Sequence, residues 1–80
     1  MADESSIRQA AREVLSEIVG HRVKDYDVVI SSGLIDSLSV LKVISRLEEK
    51  LNIHIVSKDL QPDDFDSVDV IVETLTRAAS

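Results

Sequence analysis

The residues whose types and spacing could support chemistry are concentrated in one short segment, Gly33-Leu34-Ile35-Asp36-Ser37-Leu38. Asp36 is a residue type favoured at helix starts, because its carboxylate can accept a hydrogen bond from a first-turn amide. Leu34 and Ile35 can anchor the end of a loop to the core. The segment therefore predicts a Ser37 hydroxyl at an exposed helix start, where a phosphate ester would lie near the positive end of the helix dipole.

The pair Asp36-Ser37 has a simpler interpretation as well. Aspartate followed by serine at a helix start is ordinary capping chemistry, and it needs no further function. Taken alone, the pair favours this structural interpretation over a modification site.

Two other arrangements of reactive side chains are weaker candidates. His21 and His54 could be combined with Ser37 into a hydrolytic triad, but no oxyanion-hole motif accompanies them, so we interpret both as surface histidines. An acidic cluster near the C-terminal end could bind a divalent ion weakly, but it lacks the glycine and the final glutamate of a calcium loop. We interpret these acids as helix-start residues; they are Asp63, Asp64, Asp66 and Asp69.

Composition limits the possible functions. The 80 residues suit a single domain over 1–80, and with no cysteine any working thiol must come from outside the chain. A net charge of −6 with only Tyr26 and Phe65 as aromatic residues argues against nucleic acid and against anionic membrane surfaces. The polar, acidic first residues do not resemble a secretory signal and no apolar run is long enough for a membrane span, so we expect a cytoplasmic protein. Without cysteine a covalent dimer is impossible, and we expect a monomer.

Helical periodicity defines the elements that must position Ser37. Apolar residues recur at three-and-four spacing over 6–19, 37–51 and 67–78, and these ranges predict three helices. The 37–51 helix should bury one stripe, consisting of Val40, Val43, Ile44, Leu47 and Leu51. Pro62 suits the first position of a further short helical turn.

Local signals predict where the helices begin and end. Ser6 and Gln9 could form a capping box for the first helix, and Gly20 could terminate it in a left-handed conformation. Asp36 and Asp66 are the expected caps of the two later helices. The charged residues of the first helix should form a solvated face; they are Arg8, Arg12, Glu13 and Glu17.

The two remaining segments should be irregular. Residues 20–36 contain apolar side chains without helical spacing, and "DVVI" within them has strand propensity but no convincing partner. We therefore predict a long ordered loop that packs apolar side chains on the helices, of the kind that often carries function. Residues 52–61 should be held by apolar anchors, namely Ile53, Ile55 and Leu60.

Together, these features resemble the acyl carrier protein family, whose attachment motif has the core Asp-Ser-Leu. The resemblance covers nearly the whole chain: a striped first helix, a long loop ending in the motif at Ser37, a second helix, a proline-led turn and a closing helix. Pro62-Asp63-Asp64-Phe65-Asp66-Ser67-Val68 followed by Ile71-Val72 is also similar to the family's last helix junction.

The resemblance implies an all-α four-helix bundle, with three main helices and one short helix, that is not itself an enzyme. Ser37 would carry 4'-phosphopantetheine, transferred from coenzyme A by a phosphopantetheinyl transferase, and the cargo would be an acyl or aminoacyl thioester. Asp36 would assist the transferase and Leu38 would contact it. The other partners would be a loading ligase and downstream acyl-transferring enzymes.

The second helix departs from the pattern of fatty-acid carriers, in which it is strongly acidic. Residues 36–51 contain three acids and three bases, and the acidity lies instead in 57–80, with six acids and two bases. Since electrostatic complementarity chiefly sets partner choice and encounter rate, we expect a specialised carrier rather than the housekeeping fatty-acid one. Candidate pathways are amino-acid activation, peptide or polyketide synthesis, and cell-envelope modification.

The expected partner-recognition residues lie mainly on that second helix. Leu38 and Leu41 are off its buried stripe, so they form either an exposed docking patch or a surface covered by Ile30 or Ile35. The complete expected set is Asp36, Leu38, Leu41, Lys42, Ser45, Glu48 and Glu49. The alternative function is an unmodified helical interaction domain in which Asp36-Ser37 is only a cap.

Overall fold

A computed structural model describes residues 3–55 and 60–78. Its elements are α1 (Glu4–Val19), α2 (Ser39–Leu51), a short 3-10 turn (Pro62–Phe65) and α3 (Val68–Ala78). The described ranges contain no β-strand, which confirms the all-α prediction at that level. Within the same ranges, no helix is long and apolar enough to cross a membrane.

Helix α1 begins earlier than its pattern predicts. Asp3 is the N-cap, and its carboxylate accepts the Ser6 N–H at 2.8 Å. The predicted Ser6–Gln9 capping box is therefore wrong: Asp3 already satisfies the Ser6 amide, while the Gln9 side chain donates to Glu13. The predicted end is confirmed, because Gly20 has φ of +94° and its N–H donates to the Ser16 carbonyl.

Two ion pairs establish the direction of α2 relative to α1. Glu13 pairs with Lys50 at 3.2 Å, and Glu17 pairs with Arg46 at 3.1 Å. Because residue numbers rise on one helix as they fall on the other, the two helices are antiparallel. The C-terminal end of α1 therefore lies beside the beginning of α2.

The basic residues of α1 do not form the solvated face that the sequence predicts. Arg12 makes two hydrogen bonds to the Asp25 carboxylate, at 2.9 and 3.0 Å. Arg8 donates to Asp25 at 2.9 Å and to Asp69 at 2.6 Å. The periodicity of α1 does not show that the acidic partners lie in other elements. The prediction is therefore wrong for the two arginines, which join α1 to the loop and to α3.

The hydrophobic core lies between the three helices and the 3-10 turn. Phe65 and Ile71 are fully buried, as are Leu15 of α1 and Leu47 of α2. Tyr26, by contrast, is 68% exposed with the Lys24 ammonium 5.9 Å from its ring centroid. The predicted α2 stripe is confirmed: Val40, Val43 and Leu47 are buried, and Ile44 and Leu51 are partly buried against the core.

The long connection between α1 and α2 is a loop, as predicted, but only some of its apolar side chains pack on the core, because Tyr26, Val28 and Leu34 are exposed. Val23, Val29 and Ile35 are buried at 2%, 0% and 7% exposure. In the α2–α3 connection, Ile55 is buried, and Ile53 and Leu60 are partly buried against the core. The remainder of that predicted irregular segment, 56–59, lies outside the described residues.

Candidate functional site

Ser37 is exposed at the N-terminal end of α2, two residues before the first helical residue, Ser39. Its carbonyl accepts the Val40 N–H at 3.3 Å, so the backbone of Ser37 already belongs to the helical entry. Its hydroxyl has no hydrogen-bond partner within residues 3–55 and 60–78. The side chain is therefore available to an external reagent.

Asp36 holds the turn that leads into α2. The Ser39 N–H donates to the Asp36 carboxylate at 2.8 Å and lies 3.1 Å from the Asp36 carbonyl. Asp36 therefore accepts a first-turn amide as the sequence predicts, but α2 begins at Ser39 rather than at 37 and its N-cap position is Leu38, which makes no side-chain capping bond. The Ser39 hydrogen bonds lower the pKa of Asp36 below its ordinary value, so its carboxylate is ionised near neutral pH.

The residues before Asp36 bring the chain to the helix start through one anchored and one exposed side chain. Gly33 adopts φ of +83°, a left-handed conformation that glycine tolerates best, and its N–H donates to the Ile30 carbonyl. Ile35 is 7% exposed and its N–H donates to Val29 at 2.9 Å. Leu34 is 51% exposed, so the prediction that both residues anchor the loop is right for Ile35 and wrong for Leu34.

Asp66 fixes the middle of the loop that precedes Ser37. The residue is 8% exposed, and its carboxylate accepts the Ile30 N–H at 2.7 Å and the Ser31 N–H at 2.9 Å. The Ser31 hydroxyl donates to the same carboxylate, and the Val29 N–H donates to the Asp66 carbonyl at 2.7 Å. Asp66 thus ties the loop to the junction between the 3-10 turn and α3.

This role overturns the prediction that Asp66 caps the last helix. The adjacent Ser67 performs that function, since its hydroxyl accepts the Val70 N–H at 3.2 Å. Burial of Asp66 would raise its pKa, but the hydrogen bonds from Ser31 and then Ile30 outweigh it and the pKa is lowered. The sequence contains no signal for this exchange of roles, because Asp36-Ser37 has the same pair of residues and there the aspartate accepts the first-turn amide.

One side of α2 faces away from the core next to Ser37, and we call it the α2 ridge. Its residues are Leu38, Leu41, Lys42, Ser45 and Glu49, all exposed. Leu38 is 78% exposed and Leu41 is 64% exposed. Of the two alternatives that the sequence leaves open for these leucines, the structure has the exposed patch, since neither is covered by Ile30 or Ile35.

Glu48 differs from the other predicted partner-recognition residues. Its carboxylate accepts the Ile55 N–H at 2.8 Å and lies 3.5 Å from the His54 ring nitrogen. The side chain is 29% exposed. Glu48 therefore holds the segment that follows α2, on the flank of the ridge rather than on it.

The other reactive groups are not assembled around Ser37. His54 follows α2 and lies beside Glu48, which is in the C-terminal half of that helix. His21 contacts the carbonyl of the neighbouring Arg22. Among the acids, Asp64 accepts the Gln61 N–H, and Asp69 binds Arg8. Within the described part of the chain, no group of three or more histidine or acidic side chains could hold a metal ion.

Within the described residues, the fold and the site define a small helical domain whose Ser37 hydroxyl is exposed and unpaired where the long loop enters a helix. The chain is similar to the D-alanyl carrier protein of Leuconostoc citreum (strain KM20), with 26% identity over 69 residues that cover 84% of this chain and 88% of the relative. No family model and no solved structure matches the chain. The match confirms the predicted resemblance to the acyl carrier protein family and to a specialised member of it.

Proposed function

We propose that this protein is a non-catalytic carrier that holds an acyl or aminoacyl group as a thioester on 4'-phosphopantetheine attached to Ser37. In this proposal the three α-helices and the 3-10 turn form the four-helix carrier bundle that the sequence predicts. The observation that carries the proposal is the exposed Ser37 hydroxyl, which has no hydrogen-bond partner in the described structure. A serine used only for capping would have its hydroxyl on a backbone amide.

The residues around Ser37 suit a covalently attached phosphate. The Ser37 oxygen would form a phosphodiester as the pyrophosphate of coenzyme A is cleaved, with loss of the hydroxyl proton and departure of adenosine 3',5'-bisphosphate. The new ester would lie in solvent near the positive end of α2, and no core side chain would have to move. The attached group supplies the thiol that the cysteine-free chain lacks.

Each neighbour of Ser37 has a role in this proposal. Asp36 holds the helical entry and provides an ionised carboxylate beside the hydroxyl for the phosphopantetheinyl transferase. Leu38 and Leu41 contact partner enzymes directly. That contact is bordered by Lys42, Ser45 and Glu49. Glu48 holds the segment after α2 beside it by accepting the Ile55 N–H.

The remaining partners follow from the chemistry of a thioester carrier. A ligase must activate the cargo carboxylate and load it, and a downstream enzyme must accept the acyl group. The relative's name makes the D-alanyl group the first cargo to test. Because coenzyme A is the donor, we place the modification in the cytoplasm, and we expect the carrier to act as a monomer.

The experiment that tests this function is an intact-mass measurement. The purified protein is incubated with coenzyme A, magnesium and a broad-specificity phosphopantetheinyl transferase. We expect the wild type to gain the mass of one phosphopantetheine and Ser37→Ala to gain none. A folded wild type that stays unmodified, or a Ser37→Ala variant that is modified, would contradict the proposal.

The second candidate, an unmodified helical interaction domain, is favoured by a specific observation. The exposed Leu38 and Leu41 side chains would suit a protein contact whether or not Ser37 is modified. The same mass measurement separates the two functions, because an interaction domain has no requirement for the Ser37 hydroxyl. Modification that depends on Ser37 would favour the carrier.

A further inference from the structure

An open cavity lies between α1 and the first part of the α1–α2 loop. Its volume is about 550 Å³, which is in the range of cavities that hold small molecules. In the described part of the chain, its lining residues are Arg12, Arg22, Val23, Lys24, Asp25 and Tyr26. The cavity is therefore a separate feature from Ser37 and from the α2 ridge.

The cavity lining has an excess of positive charge, although the chain as a whole has net charge −6. Three of its residues are basic and one, Asp25, is acidic. The Asp25 carboxylate accepts two hydrogen bonds from Arg12 and one from Arg8, so it is already paired with α1. Within residues 3–55 and 60–78, by contrast, neither Arg22 nor Lys24 has an acidic partner. Two cations of the cavity are therefore available to an anion.

The backbone that carries these two cations is fixed by its neighbours. Val23 lies between them and is 2% exposed, while Arg22 and Lys24 are exposed. The Val23 N–H donates to the Ser16 hydroxyl at 3.1 Å. The Lys24 N–H donates at 2.8 Å to the carboxylate of Asp27, which lies outside the lining. The two basic side chains therefore extend from a held backbone into solvent, whereas Val23 packs into the core.

The Tyr26 ring forms one wall of the cavity. Its side chain is 68% exposed, and the Lys24 ammonium lies 5.9 Å from the ring centroid, within the range of cation–π attraction. This contact restricts the ammonium group at the cavity. Less side-chain entropy is then lost when Lys24 binds an anion.

We propose that this cavity binds a diphosphate group, with one phosphoryl group on Arg22 and the other on Lys24. The guanidinium offers paired donors that match phosphate oxygens, and the ammonium binds phosphate as a compact charge. Two cations separated by one residue suit an anion with two charged centres. The diphosphate belongs either to inorganic pyrophosphate or to a nucleotide, whose base would stack on the Tyr26 ring. Binding needs no modification of Ser37, so the site does not depend on the carrier function.

An NMR titration of the isotope-labelled, unmodified protein tests the site, with inorganic pyrophosphate, ADP and adenosine as separate probes. We expect pyrophosphate and ADP to shift the amide signals of residues 22–26, and adenosine to leave them unchanged. ADP binding tighter than pyrophosphate by about fivefold or more, the least that a stacked base contributes, would identify the nucleotide as the ligand. A smaller difference would identify the free anion. Signals that neither phosphate shifts, or that adenosine shifts as strongly, would overturn the proposal.

Charge variants locate the bound anion. Arg22→Gln and Lys24→Gln should each weaken pyrophosphate binding by about threefold to fivefold, because each removes one exposed ion pair. Lys50→Gln is the matched control for Lys24→Gln: it removes the same charge, but Lys50 pairs with Glu13 at 3.2 Å and lies outside the cavity lining. It should leave the affinity within about 1.5-fold of wild type, because salt screens distant charges.

Equal weakening in all three variants would show attraction by net charge alone and would overturn the site. Unchanged affinity in both cavity variants would do the same. Because Arg22 and Lys24 are exposed, the cavity variants should keep the wild-type melting temperature, so that a loss of affinity reports on the site rather than on folding.

Discussion

Two Asp-Ser dipeptides precede helices in this molecule, and they use their side chains in opposite ways. In Asp36-Ser37 the aspartate is exposed and accepts a first-turn amide, while the serine hydroxyl has no partner in the described residues. In Asp66-Ser67 both residues are buried, at 8% and 3% exposure. There the serine accepts the first-turn amide, and the aspartate binds the α1–α2 loop.

The difference teaches that burial, not residue type, assigns the role of such a pair. Asp66 lies where loop amides need an acceptor, so its carboxylate is used for them and capping passes to Ser67. Asp36 lies at the surface, so its carboxylate remains available to accept the Ser39 N–H. The Ser37 hydroxyl is then not needed for capping and has no partner in the described residues. The two pairs are also connected, because Asp66 fixes Ile30 and Ser31, which lead to the segment that ends at Ser37.

The largest expected effect is the difference between Ser37 and Ser67 in phosphopantetheine attachment. Ser67 is buried and its hydroxyl is engaged, whereas Ser37 is exposed. We expect Ser67→Ala to be phosphopantetheinylated to completion and Ser37→Ala not at all. Peptide mapping by mass spectrometry checks which serine carries the group. Any modification of Ser67 in the folded protein would contradict the assignment of Ser67 as a buried cap.

The next largest effect is on stability at Asp66. Asp66→Ala leaves the Ile30 and Ser31 amides without their acceptor, which should cost about 2–4 kcal/mol of unfolding free energy. Asp63→Ala in the same turn is the matched control, because Asp63 is exposed and should have little effect. Urea unfolding measures both, and equal losses in the two variants would contradict the proposed role of Asp66.

A smaller effect is expected on the unfolding free energy when Ser67 or Ser37 is replaced. Ser67→Ala removes the hydroxyl that accepts the Val70 N–H and should cost about 1 kcal/mol. Ser37→Ala should leave the unfolding free energy unchanged within error, since its hydroxyl has no partner in the described structure. Thermal unfolding of the two variants provides the measurement, and a destabilised Ser37→Ala would show that Ser37 is a structural cap.

The smallest expected effect is the difference between Asp36 and Asp66 in how much each contributes to the pH dependence of the unfolding free energy. Both have a lowered pKa in the folded state, so each contributes stability that is present above its unfolded pKa of about 3.9 and is lost as pH falls through the folded pKa. Asp66→Asn should therefore flatten the decline of stability between about pH 5 and about pH 2. Asp36→Asn should flatten it less, because solvent screens the exposed carboxylate.

Urea unfolding at a series of pH values checks the ranking. The Asp25 carboxylate, whose pKa is lowered chiefly by its Arg12 hydrogen bonds, titrates in the same direction and remains in both variants. A residual decline is therefore expected in each. A steeper decline in Asp66→Asn than in the wild type would contradict the assignment.

The sequence by itself determined the features that depend on neighbours along the chain. Helical periodicity predicted three helices, Gly20 predicted the end of α1, and Pro62 predicted the short turn. The Asp36 contact with the Ser39 N–H was predicted in the same way, because the two residues are only three positions apart. The exposure of Ser37 depended on the tertiary structure, since the same Asp-Ser pair is buried at 66–67.

Only the tertiary structure decided which partner each polar side chain has. The charged residues of α1 bind partners 13 to 61 positions away, as Arg12 does with Asp25 and Arg8 with Asp69. Asp66 likewise serves amides 35 and 36 positions away. A local pattern contains no information on such contacts, because they form only when packing of the apolar stripes brings distant segments together.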